Sequence, residues 1–85
     1  MTKSNRPKVL TFEMNPDRDE LEIHCNNEGM DEFIARLTAL RASKRRPDHD
    51  HLMTRSWSGH ELTEASQSDQ GRLLHMVTIR LQADE

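Results

Sequence analysis

The run ELEIHCNNEGMDEFIARL, from Glu20 to Leu37, changes its apolar period midway. Leu21, Ile23 and Cys25 alternate with Glu20, Glu22 and His24, the two-residue period of a half-buried strand. Beyond Asn27 the spacing shifts to three and four, with Met30, Phe33, Ile34, Leu37 and Leu40 forming one apolar stripe on a helix. Asn26 and Asn27, at the junction, are good N-caps, and Glu28, Asp31 and Glu32 place negative charge where the helix dipole favours it. Arg36, Arg41, Lys44, Arg45 and Arg46 load the other half with positive charge, and Pro47 is expected to end the helix. A strand running directly into an amphipathic helix is therefore the centre of the fold.

On the N-terminal side, Leu10, Phe12 and Met14 alternate with Val9, Thr11 and Glu13. The turn formers Asn15, Pro16 and Asp17 follow, so this strand and the next should form a hairpin. On the C-terminal side, His49 to Ser56 reads as a strand, with His51, Met53 and Arg55 on one side and Asp50, Leu52 and Thr54 on the other. Ser58 and Gly59 turn the chain, Glu64 to Gly71 is a polar loop, and Arg72 to Leu81 is a strand with Leu73, His75, Val77, Ile79 and Leu81 on one face. The order β-β-α-β-β predicts an α+β fold: an antiparallel sheet of about four strands with one amphipathic helix packed on one face. The other face would carry Glu22, His24, Thr78 and Arg80. Residues 8–82 are expected to form a single domain after a disordered lead over residues 1–7, with fraying from Gln82 onward.

Eighty-five residues supply one core, and with 33% apolar and 32% charged residues the expected stability is only about 5 kcal/mol. The lone Cys25 excludes an internal disulfide and a cysteine-rich zinc site, and a cytoplasmic location is expected. No apolar run reaches the roughly 20 residues that span a bilayer, and no signal-type apolar core follows the basic N-terminus. The net charge of −3 hides a segregation: Glu13 to Glu32 holds eight acids against Arg18, whereas Arg36 to Arg46 holds five bases and no acid. Such blocks govern partner choice and encounter rate more than fold.

Residues Asp48 to Thr63, DHDHLMTRSWSGHELT, gather His49, His51, His60, Trp57 and Gly59. His49 and His51, two apart on a strand, share a face, as zinc ligands would, and His60 or His75 is the candidate third ligand. Without an HExxH or CxxC pair, however, a hydrogen-bonded histidine patch is the commoner arrangement, and no cofactor is expected. His75, between Leu73 and Val77, is expected in the core, bonded to the Asp48 to Thr63 segment or to a carbonyl. Trp57 is either a cap on the core, the favoured role, or a partner anchor. His24 and Cys25 point to opposite faces, Ser56 and Ser58 only neighbour His60, and no nucleophile elbow or phosphate loop exists, so an enzyme is not indicated. The basic run Lys44 to Arg46 lacks interleaved aromatics, which disfavours nucleic acid as a partner.

Three passages taken together resemble immunity protein family 32 of bacterial polymorphic toxin systems, over roughly Glu20 to Leu81. They are ELEIHCNNEGMDEFIARL, then HDHLMTRSWSGHELT with its HxHL strand, Trp57, Gly59 turn and Leu62-Thr63 pair, then LLHMVTIRL. The middle passage is the most specific, and the basic run from Ala42 to Asp48 departs from the pattern. The resemblance implies a small α+β protein that binds a cognate secreted toxin domain, blocks its active site and catalyses nothing. On that reading His49, His51, Trp57, Gly59, His60 and His75 are binding candidates, and Glu20, Glu22, Glu28 and Asp31 are acids suited to a basic toxin cleft. Two alternatives differ in class: a metal-binding accessory domain holding zinc through His49, His51 and His60, and a structural module that forms a homodimer or larger homo-oligomer through a sheet edge or free face.

Overall fold

The structure is a computed structural model that describes residues 7–83, so the expected disorder of residues 1–6 and fraying of the last two residues fall outside it. The elements are β1 (Leu10–Met14), β2 (Leu21–Cys25), α1 (Asn27–Arg41), β3 (Asp48–Met53), β4 (Arg72–Leu73) and β5 (Met76–Leu81), with a 3-10 turn at Arg55–Trp57. The β-β-α-β-β layout of an α+β fold is present, and its final strand is divided in two. β1 pairs with β2 and β4 in one antiparallel sheet, and β3 pairs with β5 in another.

The division has a local cause. Leu74 N donates to Phe12 O at 2.9 Å, but at the next residue His75 O accepts from Thr54 N at 3.0 Å, so the chain passes from β1 to β3 there. The space this opens between β1 and β3 is filled by Leu62 and Thr63. Leu62 N donates to Met53 O at 3.1 Å and Thr63 N to Leu10 O at 2.8 Å. The Thr63 hydroxyl accepts from Leu10 N at 2.9 Å and donates to Lys8 O at 3.0 Å. Backbone groups that a continuous ladder would pair are thus satisfied by a wedge. The Leu62 side chain joins Leu10, Phe12 and Leu52 in the core, against which Phe33, Leu74, Val77 and Ile79 pack.

Asn26 caps α1 as expected, and its Oδ1 accepts from both Gly29 N and Val9 N at 2.9 Å, tying the helix start to the residue before β1. A Cβ at Gly29 would lie 1.6 Å from the Val9 carbonyl oxygen, so only glycine allows this approach. The helix stops at Arg41, short of Pro47, because Ser43 takes over: its hydroxyl donates to Asp48 Oδ2 at 2.6 Å and accepts from Arg45 N at 3.2 Å. Lys44, Arg45 and Arg46 therefore lie in a bend and not on the helix. The apolar stripe is also wider than the contact it makes. Leu40 is buried and Phe33 meets Phe12 edge to face at 5.5 Å, whereas Met30, Ile34 and Leu37 are exposed.

β1 is covered on both sides. Thr11 and Glu13 are as buried as Leu10 and Phe12, because the expected polar loop before β4 folds over them. Glu13 accepts hydrogen bonds there from Thr11, Ser66, Ser68 and the backbone of Gln67 and Ser68.

Candidate binding surface

Cross-strand register puts three pairs on the outer face of the second sheet: His49 opposite Arg80, His51 opposite Thr78 and Met53 opposite Met76. Residues directly opposite one another share a face, and the inward set, Leu52, Val77 and Ile79, goes to the core. The His49 and His51 rings meet edge on at 4.7 Å, and His51 Nδ1 shares a 2.9 Å hydrogen bond with the Thr78 hydroxyl. These two expected zinc ligands are brought together, but His60 is not: it is fully turned to solvent beside Glu61. Among the described residues no three His, Cys, Asp or Glu side chains converge as a metal-holding group.

One step beyond the Met53 and Met76 pair, Thr54 N donates to His75 O, and His75 carries the ring of Trp57. The 3-10 turn after Thr54 swings Trp57 back over the point where β4 gives way to β5, and its ring stacks on His75 at 5.9 Å with 7° between planes. Thr54 Oγ1 and His75 Nδ1 share a 2.8 Å hydrogen bond, and Glu64 Oε2 lies 3.6 Å from the same nitrogen. Glu64 also accepts from Ser56 N at 3.0 Å and from the Ser56 hydroxyl at 2.5 Å. Those Ser56 bonds hold the Glu64 carboxyl below its usual range, with the nearby His75 adding to the effect. Two expectations are corrected. His75 bonds to the Asp48 to Thr63 segment but is not a core residue, with a side chain 34% exposed, and Trp57 is 52% exposed and does not cap the core. The end of the ladder explains both, because the regular β3–β5 pairing stops at Met53 and Met76 and leaves His75 and the ring stacked on it at the margin of the sheet.

The turn from Ser58 to Glu61 is held separately. Ser58 adopts the left-handed backbone, φ 74°, while Gly59 is required for a close approach, since a Cβ there would sit 2.6 Å from the Met53 carbonyl oxygen. Glu61 is buried: its Oε1 accepts from Met53 N at 3.0 Å, and its Oε2 lies 3.7 Å from Arg36 Nη2 and 3.5 Å from His60 Nδ1. Burial pushes this carboxyl up, but the Met53 amide, its own amide and the charges of His60 and Arg36 outweigh burial and keep it low. Arg36 also holds Asp50, with Nη2 donating to Oδ1 at 3.0 Å and Nε 3.0 Å from Oδ2 at an angle too poor for a hydrogen bond. Sequence reasoning missed Thr54, Ser56 and Glu64 as the supports of Trp57 and His75, and no local signal marks them. Arg36 was marked. It sits in line with Gly29, Phe33 and Leu40 on the inward side of α1, where a charge needs a partner.

The acidic candidates lie on other elements. Glu20 and Glu22 are exposed at β2, Glu22 sharing a 2.9 Å hydrogen bond with His24 Nε2, and Asp31 is exposed on α1 while Glu28 is partly buried. They do not join the Trp57 group. Ser56 and His75 both contact Glu64 and not each other, and the hydroxyls bonded to imidazoles are those of Thr54 and Thr78. Trp57 is thus a half-exposed tryptophan stacked on His75, which Thr54 and Glu64 hold from behind.

A family model described as Immunity protein 32 matches residues 20–75, more than half of the chain. No curated protein and no solved structure matches. Among the described residues no helix is long and apolar enough to cross a membrane.

Proposed function

This chain belongs to the immunity protein 32 family, and from that membership we propose that it binds a cognate toxin domain in the cytoplasm of the producing cell and neutralises it without catalysis. The observation that carries the reading is Trp57, 52% exposed yet fixed by its stack on His75. A large aromatic held rigid before binding loses little conformational entropy when a partner covers it, which is how interface anchors gain their effect. His49, His51, Met53, Met76 and Arg80, on one face of the β3–β5 sheet, add a second surface of mixed character. The acids Glu20, Glu22, Glu28 and Asp31 act at longer range, steering a basic toxin domain toward the molecule.

The test is survival of a sensitive bacterium that makes this chain together with the C-terminal domain of the large secreted protein encoded nearest its gene. Rescue is expected. Trp57→Ala is expected to weaken toxin binding by about 30-fold or more while changing stability by less than about 1 kcal/mol, read by calorimetric titration and thermal melting. Killing of cells that contain soluble protein would overturn the proposal, and full protection by Trp57→Ala at limiting expression would move the contact elsewhere.

A further inference from the structure

We propose that the exposed apolar face shared by α1 and β2 is the twofold interface of a homodimer, its occupant being a second copy of this chain. Leu21, Ile23, Met30, Ile34 and Leu37 are each between 39% and 51% exposed, although all belong to regular elements. They adjoin one another. Ile23 is paired with Phe12, Phe12 touches Phe33, Met30 and Leu37 neighbour Phe33 on the helix at i−3 and i+4, and Ile34 stands one turn from both Met30 and Leu37. Leu21 and Ile23 share the helix-covered face of the sheet with Met14 and Phe12, and β2 is an edge strand of that sheet. Soluble monomers rarely leave so many large apolar side chains together in water.

The charges around this face select the occupant. On the exposed side of α1, Asp31 precedes Ile34 by one turn and Arg41 follows Leu37 by one turn, both exposed. An antiparallel pairing about a twofold axis between Ile34 and Leu37 sets Ile34 against Leu37 of the second copy. It also brings Asp31 opposite Leu40 of that copy, one residue from Arg41, twice by symmetry. The helix dipoles then oppose one another favourably. A parallel arrangement would set like charges side by side, so the surface is self-complementary in one orientation only. In extent, a 15-residue helix about 22 Å long with one strand beside it matches the low end of specific interfaces, about 1,200 Å² in total. Micromolar association is therefore expected. This face lies on other elements than Trp57, and of the residues it uses only Asp31 also enters the toxin reading.

Sedimentation velocity on the full chain from about 1 to about 300 μM tests it. The expected result is a mass rising from one chain toward two. Ile34→Glu should weaken the dimer by about 30-fold or more with an unchanged circular dichroism spectrum, since Ile34 is already half exposed. Asp31→Arg and Arg41→Asp should each weaken it, and the two together in one chain should restore it. A monomer throughout the range, or a dimer indifferent to Ile34→Glu, would overturn the proposal. So would a monomer whose toxin binding Ile34→Glu abolishes, which would assign the face to the toxin.

Discussion

Both carboxylate oxygens of Glu13 accept a backbone N–H, Oε2 from Gln67 at 2.8 Å and Oε1 from Ser68 at 3.0 Å. The side chain is 1% exposed, and burial alone would push its pKa up, but the bonds from Thr11, Gln67 and Ser68 more than reverse this and hold it at about 2 against 4.5 for a free carboxyl. In the unfolded chain the group binds its proton near 4.5, so between pH 4.5 and 2 the unfolded state holds more protons than the folded one. The resulting stability, roughly 3 kcal/mol, is fully present above that window and is lost as pH falls through it. Urea denaturation across this range should show the decline. Glu13→Gln should flatten it and cost about 3 kcal/mol at neutral pH, because whichever oxygen becomes an NH₂ group then faces a backbone donor. Nothing local in LTFEM announces this role, since period-two alternation assigns Glu13 to the solvent side. Trp57, His49, His51 and His75 were marked by composition, but their exposure was not, because it depends on which residues the break after β4 places beside them.

The helix was legible in its start and cap, and less so in its end and orientation. Five apolar residues at helical spacing specify a stripe, and the stripe is broad enough for either edge to face inward. Two contacts made at long sequence distance choose between them: Gly29 against Val9, and Arg36 against Asp50 and Glu61. Gly29→Ala is the direct check. Helix propensity alone would make it stabilising by about 1 kcal/mol, but a methyl group 1.6 Å from the Val9 carbonyl must push the helix start off β1. A lower melting temperature, by more than about 5 °C, is expected for a chain this small. β2 was equally legible as a strand, yet Leu21 and Ile23 are exposed, because β2 is the edge strand of its sheet and no described strand pairs with its outer side.

Across the whole molecule the core is small, and Leu62 is its link between the two sheets, since its backbone reaches Met53 and its side chain packs with Leu10, Phe12 and Leu52. Leu62→Ala is expected to cost about 2 to 5 kcal/mol, most of what a domain of this size has, and to lower the denaturation midpoint measured by circular dichroism. The one-sheet expectation came from reading Arg72 to Leu81 as unbroken, which its residue types allow, since each of its ten positions suits a strand. Element types, their order, the helix cap, the charge segregation and the family resemblance were all carried by the chain's own spacing and motifs, because these depend on neighbours a few residues away. The wedge of Leu62 and Thr63, the burial of Glu13, the buttress behind Trp57 and the uncovered face of α1 depend on residues about twenty to fifty-five positions apart meeting in space. Such pairings satisfy backbone and charged groups that no local pattern can assign, and so they were settled only when the chain folded.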